Sequence, residues 1–451
     1  MIKLIIFDLD GVLVEAKNIH FNALNEALPT GCKIEWNEHL SKYDGLKTNQ
    51  KLEMLTKDKG LSQHMYEHIW ELKQKITLEK LQNLQPSNQL IFCMKELISH
   101  GYKLTCCSNS IRKTVLTVLS KLGIIEYFDL IISNEDVKNS KPHPEMYWKA
   151  MSMMGCLPEE TLIVEDSPHG LLAASRSKAN VMRVGSPKEV TYINIRKHLN
   201  KEKMNIIPKW TDEKLNVLIP MAGAGSRFEQ AGYTFPKPLI DIKNKPMIQV
   251  VVENLNIEAN YIYIVQKKHR EKYNLDALLN LITPGCNIVE VDVLTEGAAC
   301  TALLAKEFIN NDNPLFFANS DQFAEWDSNE FMYKMQETNA DGGIVTFKSI
   351  HPKWSFAKIN ESGLVTEVAE KNPISNDATV GYYFWKYGSD FVKYAEQMIE
   401  KNIRVNNEFY VCPVFNQAID NGKEIRTFNV AKMWGLGTPE DLNFYLLNYK
   451  L

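Results

Sequence analysis

The sequence predicts an α/β protein built from two consecutive domains, and three observations carry that expectation. Two short apolar runs, Lys3-Leu-Ile-Ile-Phe-Asp-Leu-Asp-Gly11 and Leu215-Asn-Val-Leu-Ile-Pro-Met-Ala-Gly-Ala-Gly225, each end in glycine, as a buried parallel strand running into a loop does. Downstream of each, apolar runs alternate with helical stretches, which implies parallel strands joined by right-handed crossovers. Between the two lies Tyr192 to Asp212, rich in Lys and Asn, containing Pro208 and lacking a clear period; it reads as a connector with room for one helix. The expected domains are 1–205 and 212–451.

In chain order, the first strand is followed by a break in the rhythm from about 16 to 86. Apolar spacing there (Phe21, Leu24, Leu28; Met54, Leu55) reads as several helices inserted as a cap. The rhythm resumes with a strand at Lys103–Cys107, a helix from Ile111 to Leu122, strands at Leu130–Ile132 and Thr161–Val164, and a helix from His169 to Ser177. In the second half, strands are expected at Tyr261–Val265, Ile288–Val291, Pro314–Ala318 and Gly343–Phe347. From Ala357 to Trp385 the pattern turns antiparallel, with Gly363 supplying a turn between Ala357–Ile359 and Leu364–Val368. The second sheet is therefore expected to be mixed.

Composition excludes several classes. The 451 residues are 45% hydrophobic and 24% charged, ordinary for a globular chain. Lys+Arg total 51 against 55 Asp+Glu, a net charge of −4, which gives no electrostatic case for nucleic acid or an anionic membrane as main partner. No apolar stretch approaches the roughly 20 residues that span a bilayer. The first one, Leu4–Phe7, is cut off by Asp8 and Asp10, too short for a secretory signal core. Eight sparse cysteines without C-x-x-C fit a reduced, cytoplasmic protein without structural zinc.

Asp8 and Asp10 sit at the C-terminal end of the first strand, the end where open α/β sheets bind ligands. A carboxylate can attack a phosphoryl group and form an aspartyl-phosphate. A second carboxyl can protonate the leaving oxygen and later activate water. Such a site needs a hard cation, and Glu165-Asp166 after another strand can help hold one. It also needs donors for phosphate oxygens, which Ser108, Asn109 and Lys141 can supply. Singly these are turn or surface residues; each falling just after a predicted strand makes them a set. Residues 1–190 resemble the haloacid dehalogenase superfamily of phosphatases, with a helical cap, through Asp8-Leu-Asp10-Gly11, Ser108-Asn109, Lys141-Pro142 and Glu165-Asp166-Ser167. The resemblance implies a Rossmann-like domain with Asp8 as nucleophile and Asp10 as acid/base. It implies Ser108, Asn109 and Lys141 as phosphate binders. Mg²⁺ would be held by Asp8, the Asp10 carbonyl and Asp166, with Glu165 in support. The cap, with His20, Lys42, Lys47 and Thr48, is expected to face the site and select substrate.

The second constellation is Pro220-Met-Ala-Gly-Ala-Gly-Ser-Arg-Phe228, a glycine loop after a buried strand. Gly223 and Gly225 let backbone amides approach a phosphate, and Arg227 adds a permanent planar charge. Lys237, between Pro236 and Pro238, follows on a stiffened backbone. Asp321 ends a hydrophobic strand, a natural place for a metal carboxylate. With Thr295-Glu-Gly-Ala-Ala-Cys-Thr301, Glu370-Lys371, Gly381 and Gly437-Thr438-Pro439, residues 214–451 resemble nucleotidyltransferases that make activated sugars, with a GT-A-like domain. The resemblance implies that Ala222, Gly223, Ala224, Gly225, Ser226, Arg227 and Gly297 bind the nucleotide. Arg227 and Lys237 would serve catalysis, Asp321 would bind Mg²⁺, and Glu370, Lys371 and Gly381 would bind the acceptor. Many relatives carry an aspartate where this chain has Gly435, so Glu408 or water is left to complete the metal shell.

Together the resemblances imply a bifunctional enzyme acting on a nucleoside triphosphate and phosphorylated small molecules, for capsule or other surface polysaccharide precursors. CTP is favoured on overall resemblance; UTP, dTTP and GTP stay open. The open alternatives are a phosphorylated amine such as phosphocholine as acceptor, a phosphomutase-like first half, and a non-catalytic nucleotide sensor. A homo-oligomer is compatible with the sequence.

Overall fold

The computed structural model describes residues 1–43, 46–199, 209–223 and 225–449. The chain separates into two compact units, Met1–Ile207 and Pro208–Leu451.

In the first unit, β1 (Leu4–Phe7) forms because four consecutive apolar residues can be buried on both faces, and all four are fully buried. Around it lie β2 (Lys103–Cys107), β3 (Leu130–Ile132), β4 (Thr161–Glu165) and β5 (Asn180–Arg183), in the order β3-β2-β1-β4-β5, all parallel. The cap inserted after β1 holds the helices Lys17–Ala27, Thr48–Lys59 and Tyr66–Leu81 around its own core of Leu24, Leu52, Leu55, Ile69 and Tyr43. The expected connector is shorter than its composition suggests. Tyr192–Leu199 is a helix whose Tyr192, Ile193 and Ile195 are buried in the first unit, so that stretch belongs to a core.

The second unit is built on a nine-stranded mixed sheet. Asn287–Val291, Glu258–Gln266, Thr211–Pro220 and Leu315–Ala318 run parallel side by side. Asp377–Trp385 then pairs antiparallel with Leu315–Ala318 on one side and Gly342–Lys348 on the other. Ile425–Asn429 adds a parallel edge beyond Gly342–Lys348. The hairpin Ser355–Ile359/Val365–Glu370 turns through Gly363 at φ +78 and joins the sheet at Phe356. Its antiparallel pairing is the one expected from sequence. Two apolar clusters cover the sheet, one around Phe317, Trp385 and Phe415 and the other around Phe316, Phe331 and Tyr382.

Candidate active sites

In the first unit, β1 delivers Asp8 to the sheet's C-terminal edge, where its amide donates to the Val164 carbonyl at 3.0 Å. Lys141 reaches the same point from the loop after β3. Its ammonium lies 2.6 Å from Asp8 Oδ1 and 2.5 Å from Glu165 Oε1. Burial opposes that charge, yet the two carboxylates outweigh it and hold the Lys141 ammonium well above the usual lysine range. Asn109 fixes the lysine's backbone: its Oδ1 accepts from the Lys141 amide and its Nδ2 donates to the Lys141 carbonyl. Glu165, fully buried, also accepts from the Tyr147 hydroxyl and from the amides of Asp166 and Ser167.

Asp8, Glu165 and Asp166 can bring one oxygen each within 4.8 Å of one another. This donor set fits a hard divalent cation. Burial and then Glu165 push the Asp8 carboxyl well above its ordinary range, against Lys141, so added positive charge would favour its ionised form. Gly11 makes room for the third ligand: at φ +87, a Cβ there would stand 2.1 Å from Asp166 Oδ2. Asp166 is meanwhile ion-paired with Lys17 at 2.8 Å.

Asp10 faces the cap. Its carboxylate meets His20 Nε2 at 3.1 Å and accepts from the Ser110 hydroxyl at 2.9 Å. Burial alone would raise its pKa; His20, then Ser110 and Lys73, outweigh that and hold it below the carboxylate range. Lys73 Nζ lies 3.5 Å from His20 Nδ1. Burial and the neighbouring Lys51 ammonium push Lys73 down to about 7, against the pull of Asp10.

Asp8, Asp10, Ser108, Asn109 and Lys141 line one cavity of about 300 Å³, joined from the cap by His20, Lys47 and Thr48. Lys42 is a correction: it is exposed, pairs with Asp58 at 3.6 Å and is not among the lining residues. Sequence reasoning missed Lys17, Lys51, Lys73 and Ser110. A signal existed for one of them: Lys51 lies four residues after Lys47, in the first turn of the helix Thr48–Lys59 that Lys47 precedes.

In the second unit, the glycine loop leaves the strand Thr211–Pro220. Ala222 is buried and Gly223 exposed, and both carbonyls accept from the buried Gln266 side chain, at 2.8 and 3.0 Å. Gln266 was not singled out from sequence, because an amide at a strand end has no motif. Ala224 falls outside the described residues. Gly225, at φ +66, starts the short helix Ser226–Gln230, and Ser226 and Arg227 are exposed on it. A Cβ on Gly225 would lie 3.7 Å from Lys237 Cβ, and Lys237 Nζ is 2.9 Å from Asp321 Oδ2. Loop, lysine and aspartate are thus contiguous. Gly437 backs onto the same carboxylate, since its Cβ would be 2.5 Å from Asp321 Oδ2.

Glu370 and Lys371 lie at the end of the hairpin. Glu370 accepts a short hydrogen bond from the Ser355 hydroxyl, and burial raises its pKa. Lys371 donates to the Tyr410 hydroxyl at 2.6 Å and lies 4.6 Å from that ring's centroid. Gly381, at φ +89, is needed because a Cβ would meet Asn319 Nδ2 at 2.2 Å. The charge of Glu408 acts on Glu370 and on Tyr410. Gly297, at φ +136, is clamped by Phe409, whose backbone would be 2.5 Å from a Cβ there. The clamp is closed by Phe409 N–H donating to the Glu296 carbonyl and Ala299 N–H donating to the Phe409 carbonyl, each at 2.9 Å.

No described helix is long and apolar enough to cross a membrane. Residues 5–184 match the family model described as haloacid dehalogenase-like hydrolase, and residues 216–445 the one described as nucleotidyl transferase. Pyrophosphatase PpaX of Halalkalibacterium halodurans is 34% identical over 102 residues, which is 23% of this chain and 47% of that protein. Phosphoglycolate phosphatase of Aquifex aeolicus is 29% identical over 177 residues, 39% of this chain and 81% of that one. The chain therefore spans about half the length of the first relative and about four fifths of the second. Among solved structures, a nucleoside-diphosphate-sugar pyrophosphorylase from Vibrio cholerae RC9 is 23% identical, covering 51% of this chain and 100% of that one, with a TM-score of 0.45. A β-phosphoglucomutase from Clostridium difficile is 22% identical, covering 45% and 98%, with a TM-score of 0.41. With the nucleotidyl transferase match covering half of its length and the hydrolase match preceding it, the chain belongs to the nucleotidyl transferase family and carries a haloacid dehalogenase-like hydrolase domain ahead of that module.

Proposed function

We propose that the two halves, 1–205 and 212–451, are separate enzymes on one chain. The first hydrolyses a phosphate monoester. The second joins a nucleoside triphosphate, with CTP favoured, to a sugar- or polyol-phosphate and releases pyrophosphate. Precursors of capsule or other surface polysaccharide are the favoured products, made in the cytoplasm.

The observation that carries the first half is the convergence of Asp8, Lys141, Glu165 and Asp166 beside Asp10. In the proposed reaction Asp8 attacks phosphorus, the ester P–O bond breaks, and Asp10 gives its proton to the leaving oxygen. Water then attacks the aspartyl-phosphate, Asp10 takes a proton from it, and phosphate leaves. Asp10's depressed pKa in the present arrangement suits the second step, in which it acts as a base. Ser108, Asn109 and Lys141 position the phosphoryl oxygens. Mg²⁺ held by Asp8, Asp166 and the Asp10 carbonyl, with Glu165 in support, would neutralise phosphate charge. Chelation should abolish phosphate release and Mg²⁺ restore it; retention of activity after exhaustive chelation would remove the metal from this reading.

In the second half, the contiguity of Gly225, Lys237 and Asp321 supports triphosphate binding beside a metal carboxylate. An acceptor phosphate oxygen attacks the α-phosphorus and pyrophosphate departs, with positioning and charge neutralisation supplied by Gly223, Gly225, Ser226, Arg227 and Lys237. Asp321 would hold Mg²⁺, Gly297 lies toward the nucleotide, and Glu370, Lys371 and Gly381 receive the acceptor. Screening each triphosphate against a panel of phosphorylated metabolites for pyrophosphate tests this. Nucleotide binding without pyrophosphate from any pair would favour a sensor.

Tyr410 enters here as a positioning residue for Lys371. In Tyr410→Phe the hydrogen bond to a charged group is lost while the ring stays, so KM for the acceptor should rise about tenfold with KM for the triphosphate little changed. Initial-rate kinetics with each substrate varied separately measure that split.

A further inference from the structure

The glycine loop of the second unit is held from behind by one side chain. Where the loop leaves its strand, Pro220 is level with Ile264 of the parallel strand Glu258–Gln266, and the Met221 amide still donates to the Ile264 carbonyl at 2.9 Å. Two residues further along that strand, the Gln266 side chain takes over: its Nε2 donates to the carbonyls of Ala222 and Gly223 at 2.8 and 3.0 Å. A carboxamide nitrogen carries two hydrogens, so one group serves both acceptors. Gln266 is itself fixed, being buried and level with Val291 in the pairing to the next strand. A trans peptide sets its C=O and N–H in opposite directions, so with the Ala222 carbonyl drawn to Gln266 the Gly223 N–H faces away from it. Both carbonyl oxygens are gathered on the Gln266 side, which leaves the opposite side of the loop electropositive, as in backbone concavities that bind anions. Open space lies beside the loop, since a Cβ on Gly223 would meet nothing within 4 Å. The protein's own packing therefore does not demand glycine there, and a ligand has room to approach the main chain.

We propose that Gln266 is a positioning residue of the nucleotidyl transferase half, fixing the start of the glycine loop in the shape that receives the triphosphate. This rests on the reading of that loop as the triphosphate site and adds the group that preforms it. A loop already held in its binding shape loses little freedom when the ligand arrives. Released from Gln266, it has to be ordered by the ligand, and affinity for the phosphates falls.

The test uses the full chain, the triphosphate and acceptor that the pyrophosphate screen identifies, and inorganic tripolyphosphate as a probe without a base. Gln266→Met keeps the length of the side chain and removes the donor. KM for the triphosphate should rise about tenfold, the inhibition constant of tripolyphosphate should rise in the same proportion, and KM for the acceptor should stay within about twofold. Gln266→Glu, equal in size, sets a carboxylate against two carbonyl oxygens and should show the larger rise; it repeats the comparison should Gln266→Met fold poorly in a thermal melt. An unchanged KM for the triphosphate overturns the proposal and leaves the nucleotide reading in place. A raised KM with unchanged tripolyphosphate inhibition also overturns it, since Gln266 would then serve the nucleoside and not the loop. An equal rise in KM for the acceptor overturns it as well, because the unit as a whole would have loosened. If no pair yields pyrophosphate with the wild type, calorimetry with tripolyphosphate and Mg²⁺ decides: binding weakened by Gln266→Met upholds the proposal, and unchanged binding overturns it. No binding to the wild type removes the triphosphate reading and the proposal with it.

Discussion

Asp8→Asn should lower phosphate release by about 10⁴-fold or more, because removing a nucleophile costs most of the chemistry that the rest of a site supports. The asparagine keeps the shape and removes the charge. Burial and Glu165 already disfavour a charged group at this position, so the melting temperature should hold or rise. Lys141 keeps its bond to Glu165 at 2.5 Å and stays in place. Pyrophosphate release by the other unit should be unchanged. Phosphate and pyrophosphate assays on the same preparation, with a thermal melt, check all three statements. Loss of both activities in a folded variant would end the account of two independent sites.

Lys237→Met should do the reverse. Lys237 stands 2.9 Å from Asp321 and next to Gly225, and in the proposed reaction charge would develop there as pyrophosphate leaves. Removing one such preorganised charge should cost about 10²–10³ in turnover. Phosphate release from the first unit should be untouched. Arg227, exposed in the first turn after the glycine loop, should act in the same direction when changed to alanine. Pre-steady-state pyrophosphate release is the measurement of choice, since it separates chemistry from product loss. A normal burst in Lys237→Met would take the lysine out of the reacting centre.

Much of this arrangement was legible because the chemistry sits where strands stop. Asp8, Asp10, Ser108, Asn109, Lys141, Glu165 and Asp166 each follow an apolar run short enough to be a buried strand, and the parallel sheet gathers those ends on one edge. The Gly363 turn was readable for a similar reason, since glycine between two alternating runs has few other uses. The cap lysines were not readable. Lys51 and Lys73 lie on helices of mostly polar sequence, where a lysine looks solvated, and only tertiary packing buries them. The same packing sends Lys42 to Asp58, though its sequence position suggested otherwise. Tyr410 was hidden by distance along the chain. Its loop lies about forty residues beyond Lys371, and only the fold brings it onto that ammonium. The parallel edge strand Ile425–Asn429 was missed likewise, because its partner Gly342–Lys348 is some eighty residues earlier.

The Phe409 clamp sets a limit on modular redesign. Residues 404–410 grip the turn at Gly297 through main-chain bonds, with Arg404 paired to Glu296 and stacked 4.0 Å from the Phe409 ring centroid. Tyr410, the last residue of that segment, holds Lys371. A segment grafted here from another protein would carry both neighbourhoods with it. Exchanging this loop should therefore disturb the Gly297 turn and Lys371 together, whereas single side-chain changes along the hairpin leave the grip intact.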